Sequence, residues 1–154
     1  MPQQQYAPPQ QSLRRSSEAL AMLRADHRRI QQLIMEYDTV HGPQAQRDIA
    51  HEILLELTIH AHLKAYVFYD TSEDEPTRRG QTLLAASRRE QRAITGLLQE
   101  LRMMAPEDPQ FPKTFDELLL HVEHHMAAEE AQMFPFAEAA LAHGSTACAA
   151  GRQA

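Results

Sequence analysis

This chain of 154 residues has no tryptophan, one cysteine, five glycines and only two lysines, and no apolar run in it approaches the roughly 20 residues that span a bilayer. The lone Cys148 excludes an intramolecular disulfide and fits a reducing cytoplasm. No CxxC pair, glycine-rich phosphate loop or nucleophile elbow is present, and Ser87 has no helical histidine neighbour to activate it. Positive charge is outweighed, with 15 Lys and Arg against 21 Asp and Glu. A formal net charge of -6 argues against a nucleic-acid backbone or an anionic membrane as partner. The paired arginines, such as Arg28 with Arg29 and Arg88 with Arg89, have acids interspersed and read as solvated helix faces. The segment Met1 to Gln11, rich in Gln and Pro, has neither a basic n-region nor an apolar h-region and reads as a disordered leader rather than a signal peptide. A soluble, cytoplasmic protein is the expectation.

What the chain does have is helical periodicity. Its length suits one domain with a real core, and its wealth of Ala, Leu, Gln, Glu and Arg favours helices over sheet. A first helix is expected over roughly Ser16 to Val40, with Leu20, Leu23, His27, Ile30, Ile34 and Tyr37 on one face. His41-Gly42-Pro43 stops it. A second, roughly Gln44 to Tyr69, carries Ile49, Ile53, Leu57, His60 and Lys64 on its stripe. A third, roughly Thr77 to Met104, carries Leu84, Ser87, Gln91, Ile94, Leu98 and Leu101. Asp108 as cap and Pro109 at the first helical position open a fourth, which His143-Gly144 ends after a bend at Pro135. The domain reading is a leader over 1–15, a bundle over 16–142 and a flexible tail over 143–154. The fold class is all-α, an antiparallel up-down-up-down four-helix bundle.

Each helix has a polar residue or two at mid-height in its apolar stripe. On the fourth, His121, His125 and Glu129 are four apart and share one face with Leu118, Val122 and Met126. A carboxylate on an apolar face costs several kcal/mol unless a metal ion or a cationic side chain neutralises it. The two halves of the chain also resemble each other. His27 aligns with Gln91 at an offset of 64 residues, and His60 with Lys64 aligns with His125 with Glu129 at an offset of 65. Two hairpins related by a pseudo-twofold would bring these residues together, and four-helix bundles hold di-iron or di-manganese centres in this way.

At these residues the chain resembles the hemerythrin-like, or HHE cation-binding, domain family. The likeness is carried by Asp26 and His27, by Glu56, Leu57 and His60 with Phe68 and Tyr69, and by His124, His125, Glu129, Glu130, Met133, Phe134 and Pro135. The resemblance implies a bundle that binds non-haem iron, usually as an oxo-bridged pair, in oxygen binding, redox or nitric oxide sensing, peroxide chemistry or iron regulation. It places His27, His60, His125 and Glu129 at metal-ligand positions. Two positions depart from the pattern: Lys64 stands where a second carboxylate is expected and Gln91 where a histidine is expected.

An ammonium about 4 Å from a divalent ion is repelled by roughly 8 kcal/mol at an effective dielectric of about 20. Metal sites in small proteins gain roughly 10–16 kcal/mol, so one ion is tolerable and a di-iron pair is the less favoured alternative. The expected function is therefore a degenerate site holding at most one iron through His27, His60, His125 and Glu129, with His121 as a possible accessory ligand and O2 or NO as the small partner. In the alternative, the protein is a metal-free scaffold or interaction protein in which Lys64 pairs with Glu129. His62 and His124 are expected at the surface, and Glu56 as a partner that orients a histidine. Nothing in the pattern demands more than a monomer or a weak homodimer.

Overall fold

The computed structural model describes residues 9–65 and 77–150, and the side chains of 14–65 and 77–143. Helix α1 spans Pro9–Thr39, α2 Pro43–Lys64, α3 Arg78–Met103, α4 Phe111–Ala128 and α5 Phe134–Ala150, with a π-helical turn over Glu129–Met133 between the last two. The fourth rod of the bundle is thus α4, the π turn and α5 in succession. The chain is all-helical among the described residues, as the periodicity requires. Val67, Phe68 and Tyr69, expected at the end of α2, and the acidic segment that follows lie outside the described residues.

Local chemistry sets the boundaries. Gly42 adopts φ 102, a left-handed conformation that an L side chain resists, and Pro43 follows at the first turn of α2, where no N–H is needed. Thr77 caps α3, its hydroxyl accepting from the Gly80 N–H at 3.1 Å. Three boundaries differ from expectation. α1 begins at Pro9, ahead of Ser16. Asp108 does cap, its carboxylate accepting from the Gln110 N–H at 2.8 Å, but it caps a turn. Pro109 belongs to that turn, and α4 starts at Phe111 with Pro112 in its first turn. At the far end Gly144 does not stop α5, which runs to Ala150. One glycine costs a helix only about 1 kcal/mol, and the alanines around it have the highest helix propensity.

The bend expected at Pro135 takes the form of the π turn. Proline has no N–H, and in a straight α-helix its ring crowds the carbonyl four residues back, here that of Ala131. The chain widens before it, the Phe134 N–H reaching the Glu129 carbonyl five residues back. Met133, in this turn, and Phe134, which follows it, are both buried.

α1 packs on α2, α3 on α4, and α5 returns along α1. The core is in two parts. The larger runs through Ile30, Leu33, Ile53, Leu57, Ile94, Leu98, Phe115, Leu118 and Val122, and the smaller comprises Leu20, Leu23, Leu84, Met133 and Phe134. Burying side chains of this size contributes about 1.5–3 kcal/mol each. Between the two parts lies a layer of buried polar residues: His27, His60, Lys64, Ser87, His125 and Glu129.

Candidate metal centre

The polar layer is built from the stripe positions of the helices. His27 comes from α1 between Leu23 and Ile30, His60 and Lys64 from the last turn and a half of α2, His125 from the end of α4, and Glu129 from the first position of the π turn. All five side chains are shut off from solvent: His27, Lys64 and Glu129 are 1% exposed, His60 and His125 4%. Uncompensated, a buried layer of this kind would unfold the domain, so its internal pairing decides what it is.

The two oxygens of Glu129 divide the layer. On one side, Oε2 lies 2.9 Å from His27 Nε2 and 3.7 Å from His60 Nε2, and the two Nε2 atoms are 3.2 Å apart. On the other, Oε1 lies 2.7 Å from Lys64 Nζ and 2.8 Å from His125 Nε2, while Lys64 Nζ donates to His125 Nε2 at 2.5 Å. Neither contact meets full hydrogen-bond geometry at Oε1, which sits in close ionic contact with the Lys64 ammonium.

Each histidine is oriented from behind by a carboxylate. Glu130 Oε1 is 2.9 Å from His27 Nδ1, Asp26 Oδ2 is 3.3 Å from His60 Nδ1, and Glu90 Oε2 is 2.7 Å from His125 Nδ1. With a metal on Nε2 the carboxylate accepts from Nδ1–H and the Nε2 lone pair faces inward; with no ion, a proton on Nε2 donates to Glu129 instead. The pKa directions follow from this geometry. Burial works to raise Glu129, but the imidazoles of His125, His27 and His60 and the Lys64 ammonium outweigh it and hold the carboxyl far below the usual range. Burial lowers Lys64, and the charges of Glu129 and Glu90 oppose that shift in part.

The His27 side of Glu129 fits a metal ion. Two Nε2 lone pairs and one carboxylate oxygen converge there, three electron-rich atoms facing a common point, and three such ligand atoms from His27, His60 and Glu129 all lie within 4.8 Å of one another. The triangle with edges 3.2, 2.9 and 3.7 Å has a circumradius of about 1.9 Å, just under the 2.0–2.1 Å bonds that imidazole and carboxylate make to a divalent first-row ion. The other side has the same acceptor chemistry, His125 Nε2 and Glu129 Oε1, but its cation is the Lys64 ammonium.

Not every residue singled out from the sequence enters the layer. His125 is in it, but across Glu129 from His27 and His60, against Lys64 rather than with the other three ligand positions. Gln91 is half-buried and directs its amide toward Thr95 Oγ1 at 3.5 Å. His121 is exposed and lies outside the buried layer. Glu56 orients no histidine, lying instead 3.9 Å from Arg29. His62 and His124 are at the surface, as expected. The carboxylates of Asp26, Glu90 and Glu130 were not singled out as partners of the histidines. Their one sequence signal is adjacency, since Asp26 precedes His27, Glu130 follows Glu129 and Glu90 precedes Gln91.

A separate open groove of about 340 Å³ lies where Tyr37, Pro43, Arg47, Pro106, Pro109 and Phe111 meet. Tyr37 is ten residues beyond His27, so the groove is about 15 Å further along α1 and takes no part in the polar layer.

Among the described residues no helix is long and apolar enough to cross a membrane. Comparison with curated proteins and with solved structures yields no match. The family model described as the hemerythrin HHE cation-binding domain, however, matches residues 18–137, a span that takes in part or all of each rod and every residue of the polar layer. The chain belongs to the hemerythrin HHE cation-binding domain family.

Proposed function

We propose that this protein binds a single transition-metal ion, iron in the cell, through His27, His60 and Glu129, and that it serves in O2, NO or redox sensing or in iron handling rather than in turnover. The observation that carries this reading is the division of Glu129. One of its oxygens faces two inward imidazole nitrogens within ligand range, and the other faces a buried ammonium. Two imidazoles and one carboxylate form a donor set suited to ferrous iron with coordination positions to spare. When bound, such an ion supplies Lewis acidity and a one-electron couple toward water, O2 or NO. The chain's own part is to exclude everything larger. His27 and Glu129 are 1% exposed and His60 4%, so an organic substrate has no route to them without the bundle opening. Lys64 limits the site to one ion, because a second would have to share its place with a positive charge.

The test is metal analysis of protein purified from iron-rich medium and again after anaerobic reconstitution. The reading expects close to one iron per chain and a visible spectrum that responds to NO. A metal-free scaffold is the competing reading, favoured by the contact between Lys64 and Glu129, which neutralises the carboxylate without any ion. It expects no iron above background in either preparation.

A further inference from the structure

Three carboxylates stand behind three histidines, and they divide as the layer itself does. Resting on the single-ion reading above, we infer that Asp26 and Glu130 are positioning residues of the metal centre, whereas Glu90, identical in chemistry and closer to its histidine, is not.

The pairing is crossed. Glu130 follows Glu129 in the chain and reaches His27 on α1, while Asp26 precedes His27 and reaches His60 on α2. His27 is thereby held between consecutive carboxylates, Glu129 Oε2 at 2.9 Å from Nε2 and Glu130 Oε1 at 2.9 Å from Nδ1. Its ring cannot flip without losing both contacts. Phe134 fixes the remaining freedom, stacked on the imidazole at 5.1 Å and 29°. Arg24 closes the arrangement from outside: its guanidinium lies 5.3 Å from the Phe134 ring centroid, its Nε lies 3.8 Å from Glu130, and it pairs with Glu138. His60 is held more loosely, by Asp26 at 3.3 Å. Both rings present Nε2 to the same point as Glu129 Oε2.

Glu90 does for His125 what Glu130 does for His27, at 2.7 Å, but the Nε2 it turns inward meets Lys64 at 2.5 Å. Outer carboxylates that orient metal-bound histidines typically contribute 10–100-fold to affinity. That contribution should appear for Asp26 and Glu130 and be missing for Glu90.

The experiment is Co(II) titration of the full chain, followed by visible absorption against a competing chelator, with thermal midpoints of the metal-free proteins measured alongside. Glu130→Ala and Asp26→Ala are expected to weaken cobalt binding by about 10–100-fold, and Glu90→Ala to leave it unchanged within error even where its midpoint falls as far as theirs. Glu130→Gln and Asp26→Asn, whose amide oxygens still accept from Nδ1–H, are expected to recover part of the loss and remain measurable if the alanine variants fold poorly. Equal weakening by Glu90→Ala and Glu130→Ala would overturn the inference, as would unchanged affinity in every variant. A wild-type chain that takes up no cobalt would refute the single-ion reading itself, and is distinguishable from either result.

Discussion

Replacing Glu129 with glutamine removes the carboxylate that His27, His60, Lys64 and His125 all face. In the metal-free protein this leaves Lys64, 1% exposed, with its ammonium beside an amide and an imidazole and no carboxylate in contact. Breaking a buried ion pair by deleting one partner costs about 3–5 kcal/mol, because the survivor stays desolvated and unpaired. For a domain of this size the net stability is about 5–15 kcal/mol, so a large share of it goes. Each kcal/mol moves the thermal midpoint of a 150–250-residue domain by about 2–4 °C, so the expected fall is on the order of 10 °C. The double variant Lys64→Met/Glu129→Gln removes both charges while keeping the lysine stem's volume. It is predicted to be more stable than Glu129→Gln alone, with a clear non-additive coupling. Urea denaturation followed by far-UV circular dichroism, with chelator present, measures all four corners of the cycle. A Glu129→Gln protein within about 1 kcal/mol of wild type, or a strictly additive double variant, would refute the claim that Lys64 is held by Glu129.

Lys64→Glu exchanges the resident cation for a carboxylate between His125 Nε2 and Glu129 Oε1. Metal analysis should then find a second ion per chain and a new charge-transfer band, and an unchanged stoichiometry would count against Lys64 as the limit on nuclearity. His27→Ala and His60→Ala should abolish measurable Co(II) binding, whereas His125→Ala should retain it, and loss in all three would contradict the division of the layer. A fourth prediction concerns pH. Burial, with the charges of Asp116 and Asp38, raises Tyr37 above its ordinary value of 10.0. The folded state thus holds the phenolic proton more tightly than the unfolded state. The stabilisation is complete below pH 10.0 and is lost as pH rises through the folded value. Tyr37→Phe should flatten that alkaline fall in urea midpoint, and an unchanged slope would discount the burial of the hydroxyl.

The inward residues were legible because helical period and burial agree: His27, His60, Lys64, His125 and Glu129 all sit on stripes of apolar neighbours, and all five are buried. His121 stays outside the buried layer for a geometric reason. The buried arc of α4 centres near Val122, and His121 lies about 100° from it, outside the arc that includes His125 at about 60°. On α3 the internal repeat pointed to Gln91, whereas the Nδ1–H of His125 donates to the acid one position earlier, Glu90. A spacing rule has no means of choosing between adjacent residues at the edge of a stripe. The outer carboxylates look like ordinary surface acids until their crossed partners are in place. Pro135 marked a disturbance, but helical periodicity carries no signal for its form, a five-residue π turn beginning at Glu129.

The central claim is that one cation position beside Glu129 belongs to a metal and the other to Lys64. Anomalous diffraction from crystals grown with Co(II) tests it most directly. The account predicts one peak per chain, bounded by His27 Nε2, His60 Nε2 and Glu129 Oε2, with Lys64 Nζ still against Glu129 Oε1. Two peaks, or a single peak between His125 and Glu129 with Lys64 displaced, would contradict it.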